Sequence, residues 1–315
     1  MKRLLISALI IMMCFQGKAQ YIAQVSHFMY DQLRTNPGSA GSMDMVCING
    51  IIRQQMVGFP GNPENFFFNA EVPLSLLGGR HGVGLSMYRD AIGLNTDINL
   101  HLTYAYRFTL GDGTLGIGAN AGFVDNNVAS DQFVPHDEGD IPSITSPDGM
   151  TFTVGAGVFY RTEEIYFGIS ALHLNEPEVI STPESGVGTT DEFIYNLKRH
   201  YYVTAGYNMQ LSNPAWEIQP AVLLKSDGVV TAMDLNLTCV YNKKFWGGVS
   251  YRTGAAVVGM LGLELFEGFK VGYSYDMQTS ALINETQGSH EILLSYSFKI
   301  GVEKAPQKYK SIRFL

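Results

Sequence analysis

The chain is short of what most functional classes require. It has three cysteines, one of them, Cys14, inside an apolar leader. Cys47 and Cys239 stand far apart, and a single pair does not make a disulfide framework. Beyond the leader no stretch stays apolar for the roughly 18 residues that a membrane helix needs. Basic residues are scarce as well, 21 against 29 acids. Nucleic-acid binding needs clustered Lys and Arg to neutralise phosphates, so no nucleic-acid partner is expected. G-x-S-x-G, H-E-x-x-H and C-x-x-C are all missing, which removes the usual signatures of a serine hydrolase, a zinc protease and a thiol redox centre. No enzymatic activity, cofactor or metal is expected.

The leader itself is informative. Lys2 and Arg3 precede an apolar run from Leu4 to Phe15, and Gly17-Lys18-Ala19 offers small residues for cleavage. Residues 1–19 read as a secretory signal peptide, with the mature chain starting near Gln20. Ile11 and Met13 ahead of Cys14 make a poor lipid-attachment site. Without the leader, 18 basic residues face 29 acids, a net charge of −11.

What the chain does have is glycine, 34 of them, and 35 Phe plus Tyr, a composition suited to strands and turns. Alternation is the main signal. In DINLHLTYAYRF, residues 97–108, Ile98, Leu100, Leu102, Tyr104, Tyr106 and Phe108 share one face, opposite Asp97, Asn99, His101, Thr103 and Arg107. Fourteen such segments are predicted: 44–55, 64–74, 82–90, 96–109, 113–124, 151–161, 164–173, 199–211, 215–225, 229–241, 244–253, 256–265, 269–277 and 290–300. Connections after the even-numbered segments are all tight, and every long one follows an odd-numbered segment. In an up-and-down sheet this puts short turns at one end and long loops at the other, the asymmetry of an outer-membrane barrel with periplasmic turns. An even count returns both termini to the periplasmic end. A soluble β-sandwich would alternate too. It would, however, have to bury the charges that recur mid-strand, such as Glu71, Asp97, Arg107, Asp234 and Asp276. The expectation is an all-β, up-and-down transmembrane barrel of about 14 antiparallel strands in contact with outer-membrane lipids.

Its lumen would hold both signs, with Arg53, Arg107, Arg252 and Lys299 beside Glu71, Asp97, Glu217, Asp234, Glu264, Asp276 and Glu291. A selective pore favours one sign. Mixed charge fits internal pairing in a filled interior, or plain solvation of a water-filled one. Two acidic loops, 125–149 and 175–197, carry no Lys or Arg before residue 198. Asp137, Glu138 and Asp140 are close-set oxygen donors without a recognised calcium spacing, and fit an acidic surface or a partner-binding loop. GIGANAG, residues 116–122, sits within a strand with no helix after it, so it is not a nucleotide loop. His101 is expected to face the lumen, whereas a barrel phospholipase presents its His and Ser at the lipid boundary.

The segment HFMYDQLRTNPGSAG, residues 27–41, remains. Val25, Phe28, Met29 and Leu33 approach helical spacing, and Asn36-Pro37 stops any helix. It could fill the lumen or lie along the periplasmic rim. Val25-Ser26-His27-Phe28-Met29 followed by Leu33-Arg34-Thr35-Asn36-Pro37-Gly38-Ser39-Ala40-Gly41, then Arg53, Gln55, Gly58, Gly61 and Pro63 in order, resembles the PorP/SprF outer-membrane proteins of the type IX secretion system of Bacteroidota. Met56 stands where that pattern has Trp, and Asp31-Gln32 where it has Asn-Pro. The tail YKSIRFL also looks like the family's ending.

The resemblance implies a non-enzymatic barrel that anchors or assists export of adhesins and other cargo, some members being linked to gliding motility. Its partners would be secretion-system components, the cargo, and a periplasmic peptidoglycan-binding lipoprotein. The organisation is then signal peptide 1–19, N-terminal segment 20–43, barrel 44–300 and periplasmic tail 301–315. Candidate partner-binding residues are Phe28, Met29, Asn36, Pro37, Gly41, Arg53, Gln55, Asp137, Glu138, Asp140, Arg313 and Phe314. The tail's Lys304, Lys308, Lys310 and Arg313 suit docking, or form a plain unstructured end. The competing readings are a passive porin or hydrophobic-solute transporter, and an outer-membrane lipase.

Overall fold

A computed structural model describes residues 24–76, 78–129, 148–181, 193–279 and 285–299. The strands are β1 (Val46–Gln54), β2 (Glu64–Leu76), β3 (Gly79–Ile92), β4 (Asn95–Leu110), β5 (Gly113–Val128), β6 (Asp148–Arg161), β7 (Ile165–Leu172), β8 (Glu178–Ser181), β9 (Phe193–Asn196), β10 (His200–Tyr207), β11 (Met209–Gln210), β12 (Trp216–Ser226), β13 (Thr231–Tyr241), β14 (Phe245–Arg252), β15 (Ala256–Phe266), β16 (Phe269–Gln278) and β17 (Ser289–Phe298). β10 and β11 both pair with β12 and act as one wall strand interrupted at Asn208. Neighbours in sequence pair antiparallel around the wall, and β1 pairs with β17, Arg53 opposite Glu291. The result is a closed barrel of 14 antiparallel strands with no free edge.

Side-chain exposure says which face is which. Along β4, Leu102 is 66 % exposed while His101 and Thr103 on either side are 8 % and 2 %. Leu261 on β15 and Phe245 on β14 are likewise outside, with Asp276, Glu291 and Ser274 inside. A wall whose apolar side chains point outward is stable only where hydrocarbon meets it, and closure satisfies every wall strand's backbone there. Among the described residues no helix is long and apolar enough to cross a membrane.

All fourteen predicted segments match wall strands in order. The structure lengthens several: β3 starts at Gly79, not 82, and β5 runs on to Val128. The sequence reading missed the β8–β9 hairpin, which rises from the long-loop end between β7 and β10. Its Val179 packs with Leu197 on Val124, a luminal residue of β5, so the hairpin leans into the mouth of the barrel. Among the described residues the two thiols stay apart, Cys47 on the buried face of β1 and Cys239 half-exposed on β13.

Candidate functional site

The N-terminal segment fills the lumen. Of the two placements open to the sequence, luminal or along the rim, the chain takes the first. It forms three short turns, at Phe28–Tyr30, Gln32–Thr35 and Pro37–Ser39, instead of the single helix that its apolar spacing suggests. Asn36 separates the second from the third. A residue ahead of proline is biased to extended backbone, and Asn36 takes φ −144°, ψ 107°. Its side chain then accepts a hydrogen bond from the Gly38 N–H at 2.9 Å and donates to the Val158 carbonyl at 3.0 Å on β6. One side chain thus caps the third turn and ties it to the wall.

Glycines in the wall make room for it. A Cβ at Gly118 would lie 2.3 Å from the Pro37 carbonyl oxygen, and one at Gly116 2.2 Å from that of Gly38. At Gly157 it would meet the Asn36 side chain at 2.2 Å. These distances are far inside van der Waals contact, so the luminal faces of β5 and β6 form a groove that only glycine leaves open. The GIGANAG stretch is half of this cradle. Gly41, at φ +69°, turns the chain out of the groove, and its N–H donates to Glu71 at 2.7 Å.

At the long-loop end the segment is held by charge. Glu291 accepts hydrogen bonds from the backbone N–H groups of Ser26 and His27, both at 2.8 Å, and contacts the His27 ring at 2.6 Å. The Ser26 hydroxyl donates to Asp276 at 2.8 Å and accepts from Arg53 at 3.0 Å. Arg53 pairs with Asp276 at 2.7 Å and Glu291 at 3.1 Å. Arg252 pairs with Asp276 at 2.8 Å and Asp234 at 2.6 Å, and Lys225 reaches Asp234 at 3.0 Å. Three wall cations thus meet three wall carboxylates, all almost fully buried. Mixed luminal charge here means pairing. The sequence reading singled out every charged side chain of this network except Lys225, and did not single out Ser26 and His27 as its contacts, whose backbone N–H groups reach Glu291.

Apolar and aromatic contacts also hold the segment to the wall. Val25 joins Ile51, Phe67, Trp246, Val258, Met260 and Leu293, and Phe28 packs with Leu172, Tyr202 and Leu223. The His27 ring stands edge-on to Trp246 at 5.4 Å. Arg34 lies over the Phe67 ring at 5.0 Å and donates through Nε to Asp31 at 2.6 Å, while Asp31 accepts from Asn69 at 2.6 Å. Burial alone would lower the Arg34 pKa, yet the paired Asp31 carboxylate raises it. Past Gly41, Asp44 accepts from Arg107 at 2.9 Å and Arg80 at 2.7 Å. Partial burial pushes the Asp44 carboxyl up, but those two guanidinium groups outweigh it and hold it below its ordinary value.

Below the segment, toward the short-turn end, lies a cavity of about 810 Å3. Met29, Tyr30, Gln32 and Leu33 line it from the segment, with Arg161, Glu264 and Lys270 from the wall. Among the described residues no group of His, Cys, Asp and Glu is arranged to hold a metal ion.

The predicted site residues therefore divide. Phe28, Asn36, Pro37, Gly41 and Arg53 converge on the interior, where their partners are other parts of the chain. Met29 faces the cavity. Gln55 sits beside the first long loop and donates to Asn65 at 2.6 Å. Asp137, Glu138, Asp140, Arg313 and Phe314 lie outside the described residues.

Among solved structures the chain is similar to the toluene transporter TbuX of Ralstonia pickettii, at 10 % identity and TM-score 0.48, over 85 % of this chain and 93 % of that one. It is also similar to Omp33 of Acinetobacter baumannii, at 8 % identity and TM-score 0.46, over 81 % and 98 %. The translocator domain of the autotransporter NalP from Neisseria meningitidis follows at 9 % identity and TM-score 0.43, over 87 % and 96 %. No curated protein matches the chain. A family model does, across residues 17–296, and it takes in the luminal segment, the glycine cradle and the buried charges together. The chain belongs to the PorP/SprF family of type IX secretion system membrane proteins.

Proposed function

We propose that this barrel is a non-enzymatic outer-membrane component of the type IX secretion system. It anchors or assists export of secreted adhesin or cargo proteins, and it does not conduct them through its own lumen. The observation that carries this reading is the luminal segment: residues 25–41 lie across the interior, cradled by wall glycines and tied to buried carboxylates. With the short turns facing the periplasm, the cavity beneath Met29 and Tyr30 opens toward periplasmic partners, including a peptidoglycan-binding lipoprotein. The long loops then face outward toward cargo. A passive porin or hydrophobic-solute transporter needs a continuous route past these residues.

Affinity isolation of the intact protein from mild detergent tests the reading, paired with deletion of the gene. Companions from the secretion machinery together with loss of surface cargo are expected. A protein that isolates alone, in cells whose surface cargo is unchanged, would overturn it.

A further inference from the structure

Three histidines that the luminal segment does not use meet near the long-loop end. His101 comes from β4, His173 follows β7 directly, and His200 opens β10. The ring centroids of His101 and His173 are 6.3 Å apart, and those of His173 and His200 5.7 Å. All three are at least nine-tenths buried. His173 Nδ1 lies 2.8 Å from the Thr153 hydroxyl of β6, while His200 Nε2 is buried with no hydrogen-bond partner. His173 also takes φ +54°, in the left-handed region.

The position of the cluster gives it a job. His173 and His200 are the two feet of the excursion that carries β8 and β9, so the rings that touch across the feet also close the base of the hairpin. Above them Val179 and Leu197 rest on Val124. The charged groups that face the cluster are Arg34 of the luminal segment, which acts on His101 and His200, and Asp227 of the β12–β13 turn, which acts on His200. His173 faces the other two rings.

We propose that this histidine cluster is an acid-sensitive latch, which holds the β8–β9 hairpin into the barrel mouth at neutral pH and lets it go as the rings protonate. Neutral imidazoles pack as ordinary aromatic groups. Two imidazolium ions at this separation repel each other in a poorly hydrated site, with Arg34 adding to the repulsion and only Asp227 opposing it. In a released hairpin a histidine would titrate near its ordinary pKa of about 6.5. Burial, then the His200 and His101 rings, push His173 down to about 3 in the closed arrangement. The sign follows. The closed form keeps its full advantage above about pH 6.5 and loses it as pH falls, roughly tenfold per pH unit for each histidine that leaves the cluster. His200 is also pushed down by burial, against Asp227, so both feet leaving makes the fall steeper than one alone.

Hydrogen exchange of the whole barrel in lipid, from pH 7.5 to 5.0 and corrected for the intrinsic pH dependence of exchange, reads this directly. The amides of β4 and β5 serve as the internal reference. We expect β8 and β9 to lose protection steeply below about pH 6.5 while the wall does not. His173→Asn, with a residue that tolerates positive φ, should flatten the slope by about tenfold per pH unit, and His200→Gln should flatten it further in the same direction. Protection of β8 and β9 that does not change with pH in the unmodified protein would overturn the proposal, whether or not the variants fold. So would a slope that survives both substitutions.

Discussion

Arg53 shows how much one side chain can carry. It is 1 % exposed and bridges Asp276 and Glu291, the two carboxylates that also bind Ser26 and His27. Removing it leaves those acids short of a counter-charge in a site closed to water, and breaking such a pair costs about 3–5 kcal/mol. Arg53→Met should therefore lower the thermal unfolding midpoint of the barrel in detergent markedly. Adding Glu291→Leu should cost less than the two single effects combined, because the second change removes one of the stranded charges. A single-variant loss below about 1 kcal/mol would show that the network is solvated instead. At this scale the sequence was half legible. Alternation put Arg53, Arg252, Asp234, Asp276 and Glu291 on one face. Their pairing was not legible, because it crosses up to 238 residues of chain and needs the closed ring of strands to bring β1 beside β17. The partner-binding role given to Phe28, Asn36 and Pro37 rested on resemblance; the structure places them inside, against the wall.

Among the elements, the luminal segment and its cradle make the clearest unit. The sequence showed GIGANAG as a strand with glycines on the face opposite Leu115, Ile117 and Phe123, and gave no reason for it. The reason is a backbone lying against it: Pro37 and Gly38 pass where side chains would stand. Gly118→Val should therefore push the third turn off the wall, at an overpacking cost of about 1–3 kcal/mol. Trypsin cleavage after Arg34, blocked in the folded protein by burial, should become fast in that variant. Equal resistance in both proteins would mean that the cradle yields without moving the segment. The segment's own conformation was misread from its period. Val25, Phe28, Met29 and Leu33 suit a helix, but the run breaks at Asp31, where side chains to either side pack on different parts of the wall. Tertiary contact decides the conformation of so short a piece. The β8–β9 hairpin escaped notice because its strands are four residues each, too short for alternation to register.

For the whole molecule, the decisive feature is a wall with hydrocarbon-facing side chains and a lumen that holds both paired charge and a small apolar core. The first was legible because a two-residue period maps straight onto the two faces of a strand. The second was not: Ile51, Phe67, Trp246, Val258 and Leu293 are luminal, and they blur the alternation of their own strands. An outward charge tests the wall. Leu102→Arg in the middle of β4 should destabilise insertion by about 2–4 kcal/mol, read from folding into lipid vesicles, and a neutral result would remove lipid from that face. The central claim, that the barrel is closed by its own N-terminal segment, is tested most directly by conductance in planar bilayers, comparing the intact protein with one lacking residues 25–41. The intact barrel should be silent and the shortened one should pass ions steadily. An intact barrel that conducts as well as the shortened one would contradict the account.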